Sequence, residues 1–210
     1  MKKILVSIVA MVFALPTFAQ FSSGGFDLDK ESMYYGIRIG MTGANLSGDH
    51  VKSDMKMGMV LGGVLGIRVS NTTPLFLESG LYYSERGGKS EYGGKVGYNN
   101  LEVPLLIKYG VKAGDGMAIL PFFGPYFAQA ISGKTKNVKN GDEEVGTFDE
   151  KKADTGGLKR FNMGFKLGCG LEFNKLYAEA GYQFGVSNIC KLDSHSIHSN
   201  AFFVNVGVNF

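Results

Sequence analysis

Phe161-Asn162-Met163-Gly164-Phe165-Lys166-Leu167-Gly168-Cys169-Gly170-Leu171-Glu172-Phe173 alternates without a break. Its odd positions are apolar; its even positions are Asn, Gly, Lys, Gly, Gly and Glu. A period of two is the strand period, because successive side chains point to opposite faces of a sheet. Alternation alone does not say which face meets water. A soluble barrel puts its apolar face inside and a solvated Lys/Glu face outside. Here the second face is largely Gly with isolated charges. Gly weakens a strand, so a solvated surface has no use for so many. The lumen of a narrow barrel does, because eight strands leave room only for side chains and small residues relieve the crowding.

The same pattern recurs at 35–42, 59–69, 75–83, 101–109, 176–186 and 202–210. Gly36, Gly40, Gly62, Gly66, Gly80, Gly181, Gly185 and Gly207 again fall on the polar face. The stretch 117–131 is apolar on both faces and reads as a strand of open register. Pro121 and Pro125 within it lack ladder donors and predict a bend or bulge. These segments predict an all-β, eight-stranded antiparallel up-and-down transmembrane β-barrel. Long polar stretches near 43–54, 87–97, 132–158 and 187–199 alternate with short ones near 70–74, 111–116 and 174–175. Such asymmetry is that of outer-membrane barrels, with long loops outside and short turns in the periplasm.

The charges on the Gly-bearing face balance. Arg38, Arg68, Lys108 and Lys166 oppose Glu78, Glu102, Glu172 and Glu179, as a lumen shielded from water requires, since an isolated buried ion costs several kcal/mol. The opposite face of seven strands carries no charge, in keeping with the roughly 2–4 kcal/mol cost of a cation at the bilayer midplane. Tyr35, Tyr109, Phe173 and Phe210 fall near the short-turn rim of that face. Tyr83, Phe161, Phe184 and Phe202 fall near the other rim.

The chain has 210 residues, 31 of them Gly, with 16 Phe, 10 Tyr, no Trp and a net charge of +3. Gly is thus about twice as frequent as the usual 7%. The aromatic content argues against a disordered linker, the small charge against nucleic-acid binding, and a mean hydropathy of +0.01 against a bundle of apolar helices. Residues 1–19 read as a signal peptide: Lys2 and Lys3, an apolar run from Ile4 to Leu15, Pro16, then Thr17-Phe18-Ala19 before the expected cleavage at Gln20. Residues 20–33 form a flexible lead-in and 34–210 the barrel domain.

Asn100-Leu101-Glu102-Val103-Pro104-Leu105-Leu106-Ile107-Lys108-Tyr109 resembles a segment of the PorT-like outer-membrane β-barrel proteins of Bacteroidetes. Phe122-Phe123-Gly124-Pro125-Tyr126 is similar to the segment that follows it there. The terminal Phe210 resembles the signature read by the barrel assembly machinery. The resemblance implies the fold, a place in the outer membrane of a Gram-negative bacterium, and contact with outer-membrane lipid. It implies no functional site, since members have varied roles, one of them in protein secretion and gliding.

Site chemistry is sparse. Cys169 and Cys190 sit about 30 Å apart along the predicted strands, too far for a disulfide, so two free thiols are expected, with Cys169 facing lipid. His50, His195 and His198 fall in predicted loops. Cys190, Asp193, His195 and His198 match no strong metal motif, and Ser194 and Ser196 beside the histidines form no nucleophile elbow. No catalytic, metal or cofactor site is expected. The long loop 132–158, with lysines and acids interspersed, is a candidate for partner binding. The expected function is non-enzymatic, a structural or adhesion role through the extracellular loops. The alternatives are a narrow channel or a component of a transport or secretion system, and a soluble periplasmic binding barrel.

Overall fold

The computed structural model describes residues 32–48, 51–90, 95–114, 116–137, 143–148, 158–191 and 196–210. The expected signal peptide, most of the lead-in, and His50, Asp193, Ser194 and His195 lie outside them. The strands are β1 Met33–Gly48, β2 Val51–Arg68, β3 Leu75–Ser90, β4 Lys95–Tyr109, β5 Val111–Gly114, β6 Met117–Asn137, β7 Glu143–Gly146, β8 Phe161–Phe173, β9 Leu176–Gly185 and β10 Ile197–Asn209. Eight of them close an antiparallel ring in the order β1-β2-β3-β4-β6-β8-β9-β10, with β10 returning to β1. The two four-residue strands, β5 and β7, each pair on the flank of β6. Closure leaves the ring no free edge to pair with another chain.

The stagger follows from the register. Directly paired residues lead from Met33 through Ile67, Leu77, Ile107, Phe123, Leu167, Tyr182 and Phe202 back to β1 at Gly43, ten residues beyond the start (43 − 33). With eight strands, a rise of about 3.3 Å and a spacing of about 4.8 Å, this stagger tilts the strands about 41° from the barrel axis. The seam is held by two backbone bonds between the termini of the barrel, Tyr35 N to Phe210 O (3.1 Å) and Phe210 N to Tyr35 O (2.8 Å).

Faces follow the alternation. Ile37, Ile39, Met41, Leu61, Leu65, Ile107, Phe165, Leu171, Val204 and Val206 are all exposed, while Arg38, Thr42, Val64, Phe76, Leu106 and Phe203 are buried. From Leu101 to Tyr109 the apolar belt on β4 is about 20 Å tall at that tilt, of the order of the ~25 Å band of outer-membrane barrels. Tyr35 and Phe210 stack at its lower rim with centroids 5.6 Å apart. At the same end Asn174 adopts a left-handed φ of 55° in the tight β8–β9 turn, a conformation Asn tolerates.

The Gly positions acquire a packing reason. Tyr34/Gly66, Tyr82/Gly62, Tyr126/Gly164, Phe122/Gly168 and Phe203/Gly181 are each direct cross-strand partners facing the lumen. In every pair the ring lies where the Cβ of a larger residue would stand. The lumen is therefore tiled by rings laid over bare backbone, which lets five large aromatics enter a narrow barrel. We expect Gly181→Val, which drives a side chain into the Phe203 ring and the Leu167 carbonyl oxygen, to destabilise the barrel by about 1–3 kcal/mol. The temperature at which the folded band is lost on an unheated gel reads this. Adding Phe203→Ala should recover part of the loss.

Three expectations are corrected. The stretches 43–54 and 87–97 are mostly strand, since β1 and β2 run to Gly48 and from Val51, and β3 and β4 run to Ser90 and from Lys95. Beyond the belt apolar residues no longer keep to one face, Leu46 being buried and Met55 and Met57 exposed, so no single period marks these hairpins. Pro121 and Pro125 sit in unbroken register with β8. The β6 bulge instead lies opposite Asn99/Asn100, although the β4–β6 ladder is interrupted between Pro104↔Tyr126 and Ile107↔Phe123, beside Pro125. His198 lies in β10 rather than in a loop.

Candidate functional site

The lumen holds the only dense chemistry among the described residues. Four cations, Arg38, Arg86, Lys108 and Lys166, and four carboxylates, Glu78, Glu102, Glu172 and Glu179, are each at most 3% exposed. They form two layers. In the layer nearer the short turns, Glu78 Oε2 accepts from the Tyr34 hydroxyl (2.7 Å) and meets Lys108 Nζ (2.9 Å) and Arg38 Nη2 (3.8 Å). Lys108 Nζ also donates to the Tyr177 hydroxyl (2.7 Å), which donates to Glu179 (3.1 Å). Arg38 lies over the Tyr177 ring at 3.9 Å and donates to Asn209 Oδ1 (2.6 Å), whose amide donates to Glu172 (2.8 Å).

The second layer is centred on Glu102. Arg86 Nη2 donates to its Oε2 at 2.5 Å and Gln183 Nε2 to its Oε1 at 2.6 Å, with Lys166 Nζ at 3.7 Å from Oε1. Arg86 also donates to Gln183 Oε1 across the barrel. Lys166 sits against the rings of Phe203 (4.2 Å) and Tyr82 (4.8 Å). The contacts join strands on opposite sides of the ring, so the lumen is filled, not merely lined. A void of about 10 Å³ bounded by Ser84, Arg86, Lys166 and Asn205 is the size of one water molecule and far below a ligand pocket.

Of the residues read from sequence, Arg38, Glu78, Glu102, Lys108, Lys166, Glu172 and Glu179 lie in this network. Arg68 does not: it is half-buried at the lower rim, where its Nε donates to Ser70 O at 2.8 Å. Arg86 takes the fourth cationic place. Its signal was its parity, since it continues the inward series Glu78, Tyr82, Ser84.

Above the Glu102 layer the mouth is closed by apolar residues. Leu46, Tyr98, Ala130, Leu158, Ile189, Cys190 and Ile197 form one buried cluster, with Val96 and Phe148 packed against it. Four strands and two connections supply them, and the Tyr98 hydroxyl reaches Ser199 Oγ on β10 at 2.7 Å. Backbone bonds Leu158 N to Thr147 O (3.0 Å), Lys159 N to Ile189 O (2.7 Å) and Ile189 N to Ile197 O (2.9 Å) hold the connections down.

Both cysteines are free: Cys169 is exposed on the belt and Cys190 is buried in the cap. In membrane-inserted barrel a water-soluble maleimide should label neither, and after heat unfolding both. Rapid labelling of Cys190 in folded protein would show that the cap opens. His198 is half-buried and shares a 2.9 Å hydrogen bond with Ser196 Oγ. No cluster of three or more His, Cys, Asp or Glu side chains placed to hold a metal ion occurs among the described residues.

Residues 18–191, most of the chain, match the family described as the outer membrane protein beta-barrel domain. The chain belongs to that family. It is thus an outer-membrane β-barrel protein, and its short turns occupy the periplasmic side that this class gives them. Solved barrels share the fold. Neisserial surface protein A is 12% identical with a TM-score of 0.50, the match covering 86% of this chain and 98% of that one. A major outer membrane protein of Thermus thermophilus is 10% identical (TM-score 0.49; 86% and 100% covered). Ail of Yersinia pestis is 15% identical (TM-score 0.47; 86% and 100% covered). At such identities the likeness is one of fold. No curated protein matches the chain.

Proposed function

We propose that this outer-membrane barrel is a non-enzymatic structural or adhesion protein that works through its extracellular side. The observation that supports this reading is the doubly closed lumen: two layers of buried ion pairs beneath an apolar cap. Solute has no path through such a barrel, so the surfaces open to partners are the outer wall and the extracellular loops. The export route fits the same reading. A signal peptide ending at Ala19 sends the chain out, Phe210 serves the barrel assembly machinery, and the PorT-like barrels of Bacteroidetes are the group it resembles. The mass of the inserted protein tests the cleavage.

The channel alternative makes the opposite prediction in planar bilayers. Purified folded barrel should give no large, stable conductance steps. Steps that persist in independent preparations would replace the adhesion reading with a transport one. Crosslinking from intact cells then identifies what the loops touch.

A further inference from the structure

Four thioethers gather on the outer wall of β1 and β2, at the upper end of the belt. Met55, Met57 and Met59 project outward from β2, and Met41 on β1 is the direct register partner of Met59; all four are more than half exposed. Residues so paired have Cβ atoms about 4.5–5.5 Å apart, and successive outward residues of one strand are about 6.7 Å apart. Gly43 on β1 is the partner of Met57. Its missing side chain leaves a gap that two neighbours occupy. Met55 Sδ lies 2.5 Å and Met57 Sδ 3.4 Å from the place of a Gly43 Cβ, so the two sulfurs are at most about 6 Å apart (2.5 + 3.4). Gly43 itself is buried.

Lipid contact does not account for the whole row. At a tilt of about 41°, direct partners climb about 3 Å per strand from β1 towards β4, and successive outward residues of one strand about 5 Å. Met59 then stands level with Leu101, the last apolar outward residue of β4, while Met57 and Met55 stand about 4 Å and about 9 Å higher. At that height the flanking strands have turned to Gly43 and Asn45 on β1, Glu85 on β3 and Asn99 on β4. A headgroup layer about 5–8 Å thick adjoins the hydrocarbon, so the upper sulfurs lie where water and dissolved ions reach them. Glu85 Oε2 accepts from Met59 N at 3.3 Å, which brings a carboxylate to the edge of the row.

Thioether sulfur is an uncharged, polarisable donor that suits soft ions such as Cu(I), whereas oxygen ligands suit Mg²⁺ and Ca²⁺. Metal–sulfur bonds are about 2.3 Å long, so two sulfurs on one ion stand within about 4.6 Å. Met has three rotatable bonds with which to close the remaining distance. We propose that Met55 and Met57 form a surface site for monovalent copper, with Met59 and Met41 beside them to supply a further sulfur. Glu85 offsets the charge of the ion. This site rests on the barrel and its orientation in the membrane, not on the adhesion reading.

The test uses the purified mature barrel in detergent micelles and chloride-free buffer, its methionines labelled with ¹³C in the methyl group. Redox-inert Ag(I) is the first probe, and Cu(I) held reduced under anaerobic conditions the second. One equivalent of either should shift the methyl signals of Met55 and Met57 most. Met33, Met117 and Met163 should not move; Met163 stands at a similar height on the far side of the ring, beside Phe127, and is a lone thioether control. The variant Met55→Leu/Met57→Leu should lose at least tenfold in affinity against a chromogenic Cu(I) chelator, and Met33→Leu/Met163→Leu should match the parent. Thiols also bind soft metals, so Cys169→Ala/Cys190→Ala should keep the methyl shifts. Heat-modifiable migration of each variant establishes that it is folded. Equal shifts at all seven methionines from Met33 onward, or equal affinity of parent and Met55→Leu/Met57→Leu, overturn the site. Loss of the shifts in the cysteine variant assigns the metal to the thiols, and Zn²⁺ binding as tightly as Cu(I) assigns it to the carboxylates; either result overturns the thioether assignment.

Discussion

Glu102→Ala should destabilise the barrel by about 3–5 kcal/mol, the cost of stranding buried charge after one partner is removed. Glu102 is 2% exposed and is the acceptor for Arg86 and Gln183 and the nearest carboxylate to Lys166. Its loss leaves two cations without their shared counter-charge. Arg86 has no reserve, since its Nε and Nη1 already lack protein partners. The matched control is Glu143→Ala on β7, outside the ring, where a change remote from the lumen is expected to stay within about 0.5 kcal/mol. The measurement is the temperature of the folded-to-unfolded band shift on gels. A double variant, Arg86→Met/Glu102→Met, should recover part of the loss, because it removes Arg86 together with its counter-charge and leaves Lys166 alone without one. Equal shifts for Glu102→Ala and Glu143→Ala would mean that Glu102 faces solvent.

That prediction rests on a face assignment legible in the sequence wherever the lipid was the solvent. Bilayer contact forces every second residue of a strand to be apolar, so 161–173 and 202–210 could be read residue by residue. Legibility ended where that force ended. Arg86 was missed because β3 leaves the bilayer after Tyr83, and Ser84-Glu85-Arg86-Gly87 has no apolar side to mark it. Parity alone groups Arg68 with the lumen cations, but parity gives a face and not a depth. Arg68 lies at the strand's lower end, where its Nε donates to Ser70 O.

The register of β6 was hidden for the converse reason. Its inward residues Ala118, Leu120, Phe122, Tyr126 and Ala128 are themselves apolar or aromatic, since they pack under the rings and charges of other strands. Both faces then look alike, and only pairing with Glu102 and Lys166 on neighbouring strands, through Ala128 and Gly124, decides the orientation. The cap was not readable at all. Leu46, Tyr98, Leu158 and Cys190 lie in four separate segments that only the closed ring brings together. A periodic pattern reports a residue's relation to its solvent, not to residues a hundred positions away.

Lys108→Met isolates the lower layer and carries the second large effect. Lys108 is fully buried and is the cation closest to Glu78, at 2.9 Å, with Glu179 at 3.8 Å and the Tyr177 hydroxyl at 2.7 Å. Methionine fills the same volume with an unbranched apolar chain, so packing against Phe122 and Tyr177 is kept and the charge alone is lost. Glu78 then depends on Arg38 at 3.8 Å and the Tyr34 hydroxyl, and Glu179 on Asn205 and Tyr177. We expect a loss of about 3–5 kcal/mol for Lys108→Met and a smaller one for Lys108→Met/Glu78→Gln, since the double variant restores neutrality at the shared contact. The sign of the coupling is the decisive quantity. If the double variant is no more stable than Lys108→Met, the loss does not come from a stranded Glu78 carboxylate, and the ion pairs then serve to exclude solute from the lumen instead of stabilising the wall.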